Sequence, residues 1–178
     1  PDFPTSDGKK PVQPVAFRPG LAFFRSLGWS PFPFQEAAWS WFVDGGDALV
    51  NAPTGSGKTY SVLVPAVLNG GKPGGVRVLW ITPIRALAKE IHGCATRLLE
   101  HSGVPWRCGI RTGDTPTQER RQLVRHPPDI LITTPESLYL MLTSKARDTL
   151  ANVHHVIIDE IHAMAGTKRG AHLMLSLE

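Results

Sequence analysis

The sequence has 178 residues, of which 42% are hydrophobic, 19% charged and 8% aromatic, with a formal net charge of +4. That length holds one globular domain with a real core, and the mild basic excess permits a polyanionic partner without requiring one. Two cysteines, Cys94 and Cys108, exclude a disulfide scaffold or a paired zinc site and fit a reducing compartment, while no apolar run approaches the ~20 residues that cross a bilayer.

Residues 1–19 are polar and proline-rich and read as a loose arm, extended where ordered; residues 20–178 read as the folded domain. A short apolar helix is predicted over Leu21–Leu27, ended by Gly28, and Pro33 opens a second through Phe42. Strand-length apolar runs follow at Ala48–Asn51, Val76–Ile81, Arg107–Ile110, Ile130–Thr133 and Val153–Ile158. Helical stretches lie between most of them, at Lys58–Leu68, Arg85–His101, Thr117–Arg125 and Glu136–Thr143, and a further helix reaches Glu178. Gly71–Gly75 (GKPGG) reads as a mobile loop. Strands alternating with helices imply an α/β fold with a mostly parallel sheet covered on both faces. Seventeen glycines and sixteen prolines, above the average combined usage of about 12%, suit the many turns of such a chain.

Ala52–Thr59 (APTGSGKT) lies between a predicted strand and a predicted helix and matches a phosphate-binding loop, with Ala52 where glycine is the stricter form. Gly55 and Gly57 let backbone N–H groups wrap an anion, and the positive end of the next helix points at the same place. Thr54 and Ser56 complete the cradle. Lys58 reaches the β- and γ-phosphates, and the Thr59 hydroxyl can hold Mg²⁺. A glycine-rich turn with an exposed lysine is the plainer alternative.

Val156–His162 (VIIDEIH) ends an apolar strand in acids, at the strand end where open α/β sheets bind ligands. Asp159 is placed to hold Mg²⁺, and Glu160 to orient and deprotonate an attacking water. Two acids capping the next helix are the alternative reading. His162 gains interest from its spacing to Asp159. His154 and His155 read as surface residues, as do Arg120, Arg121 and Arg125 along one helix face. Trp29, Phe32, Trp39, Trp41 and Phe42 read as a hydrophobic cluster beside the sheet, with adenine stacking by Trp29 or Phe32 as a second reading.

Together these motifs resemble the DExH branch of the superfamily 2 helicases. Phe34-Gln35 looks like its Q motif, where the glutamine reads adenine. Thr82-Pro83-Ile84-Arg85-Ala86-Leu87 looks like motif Ia, Thr112-Gly113-Asp114 like motif Ib, and Thr133–Leu138, with Thr134, Pro135 and Glu136, like motif Ic. Asp159–His162 is then motif II. WITPIRAL, RTGDT, TTPESL and the Gly166–Gly170 stretch (GTKRG) point more narrowly to the large helicase-related (Lhr-type) proteins, including the ligase-associated DExH group. The resemblance spans Gly28–Glu178.

It implies the first of two RecA-like motor domains, binding ATP and Mg²⁺ and acting on single-stranded DNA or RNA and on duplex or hybrid substrates. It further implies 3′-to-5′ polarity, a role in DNA repair or RNA–DNA hybrid processing, and a bacterial or archaeal, cytoplasmic and nucleoid-associated setting. Motifs Ia, Ib and Ic would grip the strand backbone through threonine hydroxyls and free N–H groups, with Arg85 and Arg111 adding ion pairs; each motif is also an ordinary cap or turn sequence. Motif III and the arginine-bearing motif VI have no counterpart, and such an arginine is worth about 10³–10⁵ in turnover. The expectation is therefore an ATP-driven helicase in a longer parent, with this chain alone binding ATP but turning it over slowly. A non-catalytic nucleotide- or nucleic-acid-binding fragment, or a phosphate-loop small-molecule kinase, are the alternatives.

Overall fold

Central strands buried at every residue, and so on both faces, decide the architecture. The computed structural model describes residues 18–53 and 55–177, so the predicted arm lies outside the described residues except for Arg18 and Pro19, which begin the first helix. Helices α1 (Arg18–Ser26), α2 (Pro33–Val43) and α3 (Lys58–Asn69) precede the sheet. Then follow β1 (Val78–Ile81), α4 (Arg85–Ser102), β2 (Cys108–Arg111), α5 (Thr117–Arg125), β3 (Ile130–Thr133) and α6 (Pro135–Leu142). A 3₁₀ segment (Lys145–Leu150), β4 (His155–Ile158), a 3₁₀ turn (Ile161–Ala163) and α7 (Lys168–Leu177) complete the described chain.

The sheet is wholly parallel, in the order β2-β3-β1-β4. Val78 aligns with Ile130 on one side and His155 on the other, and Ile81 with Thr133 and Ile158. Alternate residues point to opposite faces. Val78, Trp80, Ile130 and Ile132 therefore meet Phe23, Trp39, Leu63, Val64, Ala95 and Leu98 of α1–α4 in one apolar cluster. Leu79, Ile81 and Leu131 meet Leu138, Met141, Met164 and Leu173 in a second, on the other face. This is the expected α/β architecture with both faces covered.

Four expectations change. Ala48–Asn51 is not a strand: residues 46–53 carry no ladder, and Leu49 is 79% exposed. The outer edge of β4, which these residues flank, is separated from them by a cleft, and a parallel strand without a ladder partner has nothing to hold it extended. The GKPGG loop is tethered rather than loose. Trp106 Nε1 donates to Gly71 O (3.1 Å), Gly74 N to Asp129 Oδ1 (3.1 Å) and Asn152 Nδ2 to Gly74 O (3.1 Å). The aromatic cluster is also smaller than expected. Trp39 is buried and donates to Tyr60 O (3.2 Å), but Trp41 is exposed on the side of α2 away from α3, and Trp29 and Phe32, in the segment before α2, are exposed too. Finally, His155 is half-buried against the Phe42 ring (4.5 Å between centroids), and burial beside His154 lowers its pKa.

Asp129 organises the amino ends of the strands. Its carboxylate, 3% exposed, accepts from Gly74 N and from Arg107 N (2.9 Å). Its carbonyl accepts from both Arg77 N (2.8 Å) and Val78 N (2.9 Å). Removing a buried acceptor leaves two donors unsatisfied, so Asp129→Ala is expected to lower the unfolding free energy by about 2 kcal/mol. Urea denaturation measures this, and an unchanged midpoint would contradict the assignment.

Candidate functional site

The carboxyl ends of β1, β3 and β4 lie level because their registers are locked, and the sequence motifs leave the sheet there. The phosphate-loop residues reach the same edge from α2 and α3. Gln35, 1% exposed, sits beneath the loop. Its Oε1 accepts from Phe32 N (2.8 Å) and its Nε2 donates to Gly57 O (2.9 Å). The resemblance assigned this amide to adenine; here it closes the first turn of α2 and anchors the loop. Gly57 has φ +83°, and a Cβ there would stand 2.7 Å from Gln35 Nε2. Both backbone and space therefore demand glycine. Phe34 is half-buried and stacks on Phe32 (6.0 Å, 14°).

Within the loop, Ser56 Oγ donates to Pro53 O (2.6 Å) and Lys58 Nζ donates to Ala52 O (2.8 Å). The ammonium thus bridges back to the first residue of the loop, a contact that a bound phosphate would compete for. Gly55 (φ +79°) turns the chain at the exposed tip; Thr54 lies outside the described residues. Lys58 and Thr59 line a cavity of about 490 Å³, and Asp159, Glu160 and His162 line it too. Five residues singled out from two distant segments therefore face one space, together with Asn51 and Trp80.

Asp159 N donates to Ile81 O (2.8 Å), which extends the β1–β4 ladder by one rung, and Asp159 Oδ1 accepts from Glu160 N (3.0 Å). Burial, and secondarily the neighbouring Glu160 charge, raise the Asp159 pKa against the lowering effects of the Glu160 N–H and of Lys58. Glu160 is the only described non-glycine residue with positive φ (+50°). Such a conformation costs about 1–3 kcal/mol and persists where surrounding structure imposes it. It turns the chain from the strand into the 3₁₀ turn, where His162 Nε2 stands 3.1 Å from Glu160 Oε2. Among the described residues no group of three or more His, Cys, Asp or Glu side chains could hold a metal ion. Thr59 and Asp159 offer the hard oxygens that suit Mg²⁺ shared with phosphate groups.

The three turns expected to hold a strand sit at the same sheet edge, but their threonine hydroxyls do not face solvent. Thr82, Thr112 and Thr134 are 0%, 7% and 2% exposed, and Pro83 and Pro135 are buried. Thr134 Oγ1 caps α6 by accepting from Ser137 N (3.4 Å), and Thr112 Oγ1 accepts from Asp114 N (3.4 Å). Capping has claimed the Thr134 hydroxyl and a turn the Thr112 hydroxyl, while Thr82 Oγ1 is buried without a hydrogen-bond partner among the described residues. The exposed groups are Arg85, Gly113, Asp114 and Glu136. Arg85 Nη1 bridges Asp114 Oδ1 (2.5 Å), joining the first turn to the second. Arg120, expected on a solvated face, instead donates to Thr115 O (2.8 Å) and Gly113 O (2.7 Å). Its place at the start of α5, behind the TGD turn, was the available signal. Arg111 is half-buried, and burial together with Arg120 lowers its pKa.

Glu136 meets Arg169 of α7, with Nε 2.6 Å from Oε1. Partial burial opposes ionisation of Glu136, but the Arg169 hydrogen bond and charge prevail and hold its carboxyl below the usual range.

Comparison with known proteins agrees with this geometry. The model of the DEAD/DEAH box helicase family matches residues 32–178. The Lhr helicase/uracil glycosylase of Escherichia coli is 50% identical over 169 residues, covering 83% of this chain and 11% of that protein. The ATP-dependent helicase Lhr-Core protein 2 of Thermococcus barophilus is 41% identical over 152 residues, covering 75% of this chain and 18% of its own length. The chain therefore spans a minor part of these relatives. In a solved structure, Mycobacterium smegmatis helicase Lhr bound to ssDNA and AMP-PNP superposes with a TM-score of 0.79 at 47% identity, over 88% of this chain and 22% of that one. No helix among the described residues is long and apolar enough to cross a membrane.

A raised carboxyl pKa makes the folded state bind protons that the unfolded chain would release. Ionised Asp159 therefore costs stability at neutral pH, and the cost fades as pH falls toward the ordinary carboxylate value. Asp159→Asn keeps the acceptor for Glu160 N and is expected to melt higher than wild type at pH 7. The two should converge in acid; thermal melts across pH check this, and a lower melting point for the variant at pH 7 contradicts it.

Proposed function

This chain belongs to the DEAD/DEAH box helicase family, and on that premise we propose that it is the ATP-binding motor domain of an Lhr-type helicase. In this reading the longer parent couples ATP hydrolysis to movement along single-stranded DNA or RNA. The observation that carries it is the convergence of Lys58, Thr59, Asp159 and Glu160 on one cavity at the sheet edge that also bears the three strand-gripping turns.

The triphosphate lies along the loop of residues 52–59, with the N–H groups at the start of α3 and the helix dipole directed at it. Lys58 exchanges its contact with Ala52 O for the β- and γ-phosphates. Thr59 and Asp159 would hold Mg²⁺, which supplies charge neutralisation across those phosphates. Glu160, turned toward the cavity by its unusual backbone, orients and deprotonates the attacking water, and His162 restrains the Glu160 carboxylate. Gln35 holds the loop in shape from below.

Turnover by these residues alone is slow, because a charge-stabilising arginine from a second RecA-like domain is part of the full site and contributes about 10³–10⁵. Neighbouring turns at 82–85, 112–114 and 134–136 hold the strand through backbone N–H groups and arginines. The threonines shape these turns from within.

In the full-length parent, ATP turnover is expected to rise when single-stranded nucleic acid is added. Lys58→Ala should lower stimulated turnover by about 10²-fold or more. Absence of stimulation, or full turnover in Lys58→Ala, would overturn the proposal.

A further inference from the structure

The GTKRG stretch distinguishes this sequence, yet the nucleotide site does not use it. Its arginine, Arg169, stands in the first turn of α7 and makes two contacts with two different turns. Nε meets Glu136 Oε1 (2.6 Å) at the start of α6, and Nη2 donates to Pro83 O (3.1 Å) at the turn after β1. Those are two of the three turns assigned to strand binding, and among the described residues no other side chain bonds to both.

The base of this arginine is rigid. Gly170 N donates to Thr167 Oγ1 (3.2 Å), which in turn donates to Met164 O (2.7 Å). A Cβ on Gly170 would lie 2.3 Å from that carbonyl, so only glycine permits the close approach that starts α7 here. Met164 and Leu173 are 2% and 3% exposed in the second core cluster. The segment from Asp159 to Met164 is bonded turn by turn, through Ala163 N to Glu160 O (2.8 Å) and Met164 N to Ile161 O (3.0 Å). Arg169 is thus the far end of one short hydrogen-bonded segment that begins at Asp159.

Magnitude decides what this contact is for. The side chains are 45% and 57% exposed, and ion pairs that exposed contribute little to stability. A planar guanidinium that holds a carbonyl and a carboxylate at once does fix their separation. It also neutralises Glu136, whose charge would otherwise repel a phosphate backbone at the positive start of α6.

We propose that Arg169 is a positioning residue for strand binding: by bridging Pro83 O and Glu136 it sets the spacing of the two turns and ties both to the segment that carries Asp159 and Glu160. The inference rests on the helicase reading above and deepens it, since it adds a link between the nucleotide edge and the strand face.

The test measures anisotropy of labelled oligo(dT) and oligo(U) with the 178-residue chain, wild type, Arg169→Ala, Arg169→Lys, Glu136→Ala and the Arg169→Ala/Glu136→Ala pair. A fluorescent ATP analogue is titrated in parallel. Arg169→Ala is expected to weaken strand binding about fivefold to tenfold, with the double variant no weaker than the poorer single variant, as for residues acting as a unit. The salt slope should stay that of wild type, whereas losing a direct phosphate contact makes it shallower by about 0.7. Nucleotide affinity should stay within about twofold. Arg169→Lys, which keeps the charge without the fork, should fall between wild type and Ala, and it decides the matter where Ala does not fold. Unchanged strand affinity in Arg169→Ala, additive losses in the double variant, or a shallower salt slope overturns the positioning role. Failure of the wild-type chain to bind either oligonucleotide removes the assignment of these turns to strand binding, and this inference with it.

Discussion

The two parallel ladders flanking β1 are the constraint on which everything else depends. Because Ile81 aligns with both Thr133 and Ile158, the residues that leave these strands emerge at one level. Asp159 N still bonds Ile81 O, and Thr82 N bonds Thr133 O (3.0 Å), so the register is carried one residue past the strands into the motifs. A slip of one residue would turn the apolar side chains of a strand to the opposite face. The core on both faces therefore protects the placement of Thr82, Thr134 and Asp159 without touching the chemistry.

Charge is distributed along that edge with a clear division. The two acids near the turns proposed to hold the strand are paired with arginines, Asp114 with Arg85 and Glu136 with Arg169. Asp159 has no such bridge among the described residues: the nearby lysine is engaged with Ala52 O, and burial leaves the carboxyl reluctant to ionise. An edge that pairs its acids with arginines in one region and leaves Asp159 without a bridging cation in another suits two different ligands. A phosphate backbone favours the first, and a divalent cation bridging to a nucleotide favours the second.

Much of this was legible in the sequence because the signals were local. Thr117–Arg125 and Ile130–Thr133 match the structure at both ends, since a proline or a turn bounds each and the side-chain period is unambiguous. The phosphate loop and the DEIH segment were legible for the same reason, being runs whose geometry follows from glycine and from a strand ending in acid. What was not legible depended on partners distant in sequence. Ala48–Asn51 has strand composition but no ladder, and composition cannot supply one. Arg120 looked like a solvated charge, and Arg169 was only part of a family stretch, until the fold brought carbonyls within reach. The threonines of three motifs looked like surface donors, yet burial turns their hydroxyls inward, Thr134 into a helix cap, Thr112 into a turn and Thr82 into the core. Gln35 was found, but its hydrogen bond to Gly57 spans 22 positions, a separation that no local pattern encodes.

The central claim is that one sheet edge carries two adjoining but separate ligand surfaces. Chemical-shift mapping of the isotopically labelled chain, titrated first with Mg²⁺ and AMP-PNP and then with oligo(dT), tests it most directly. The account predicts that nucleotide shifts the amides of Gly55–Thr59 and Asp159–His162. Oligonucleotide should shift those around Arg85, Gly113 and Glu136, leaving Gly74, Asp129 and Asn152 at the opposite edge unmoved by either. Perturbations centred on that opposite edge, or one coincident set for both ligands, would contradict it.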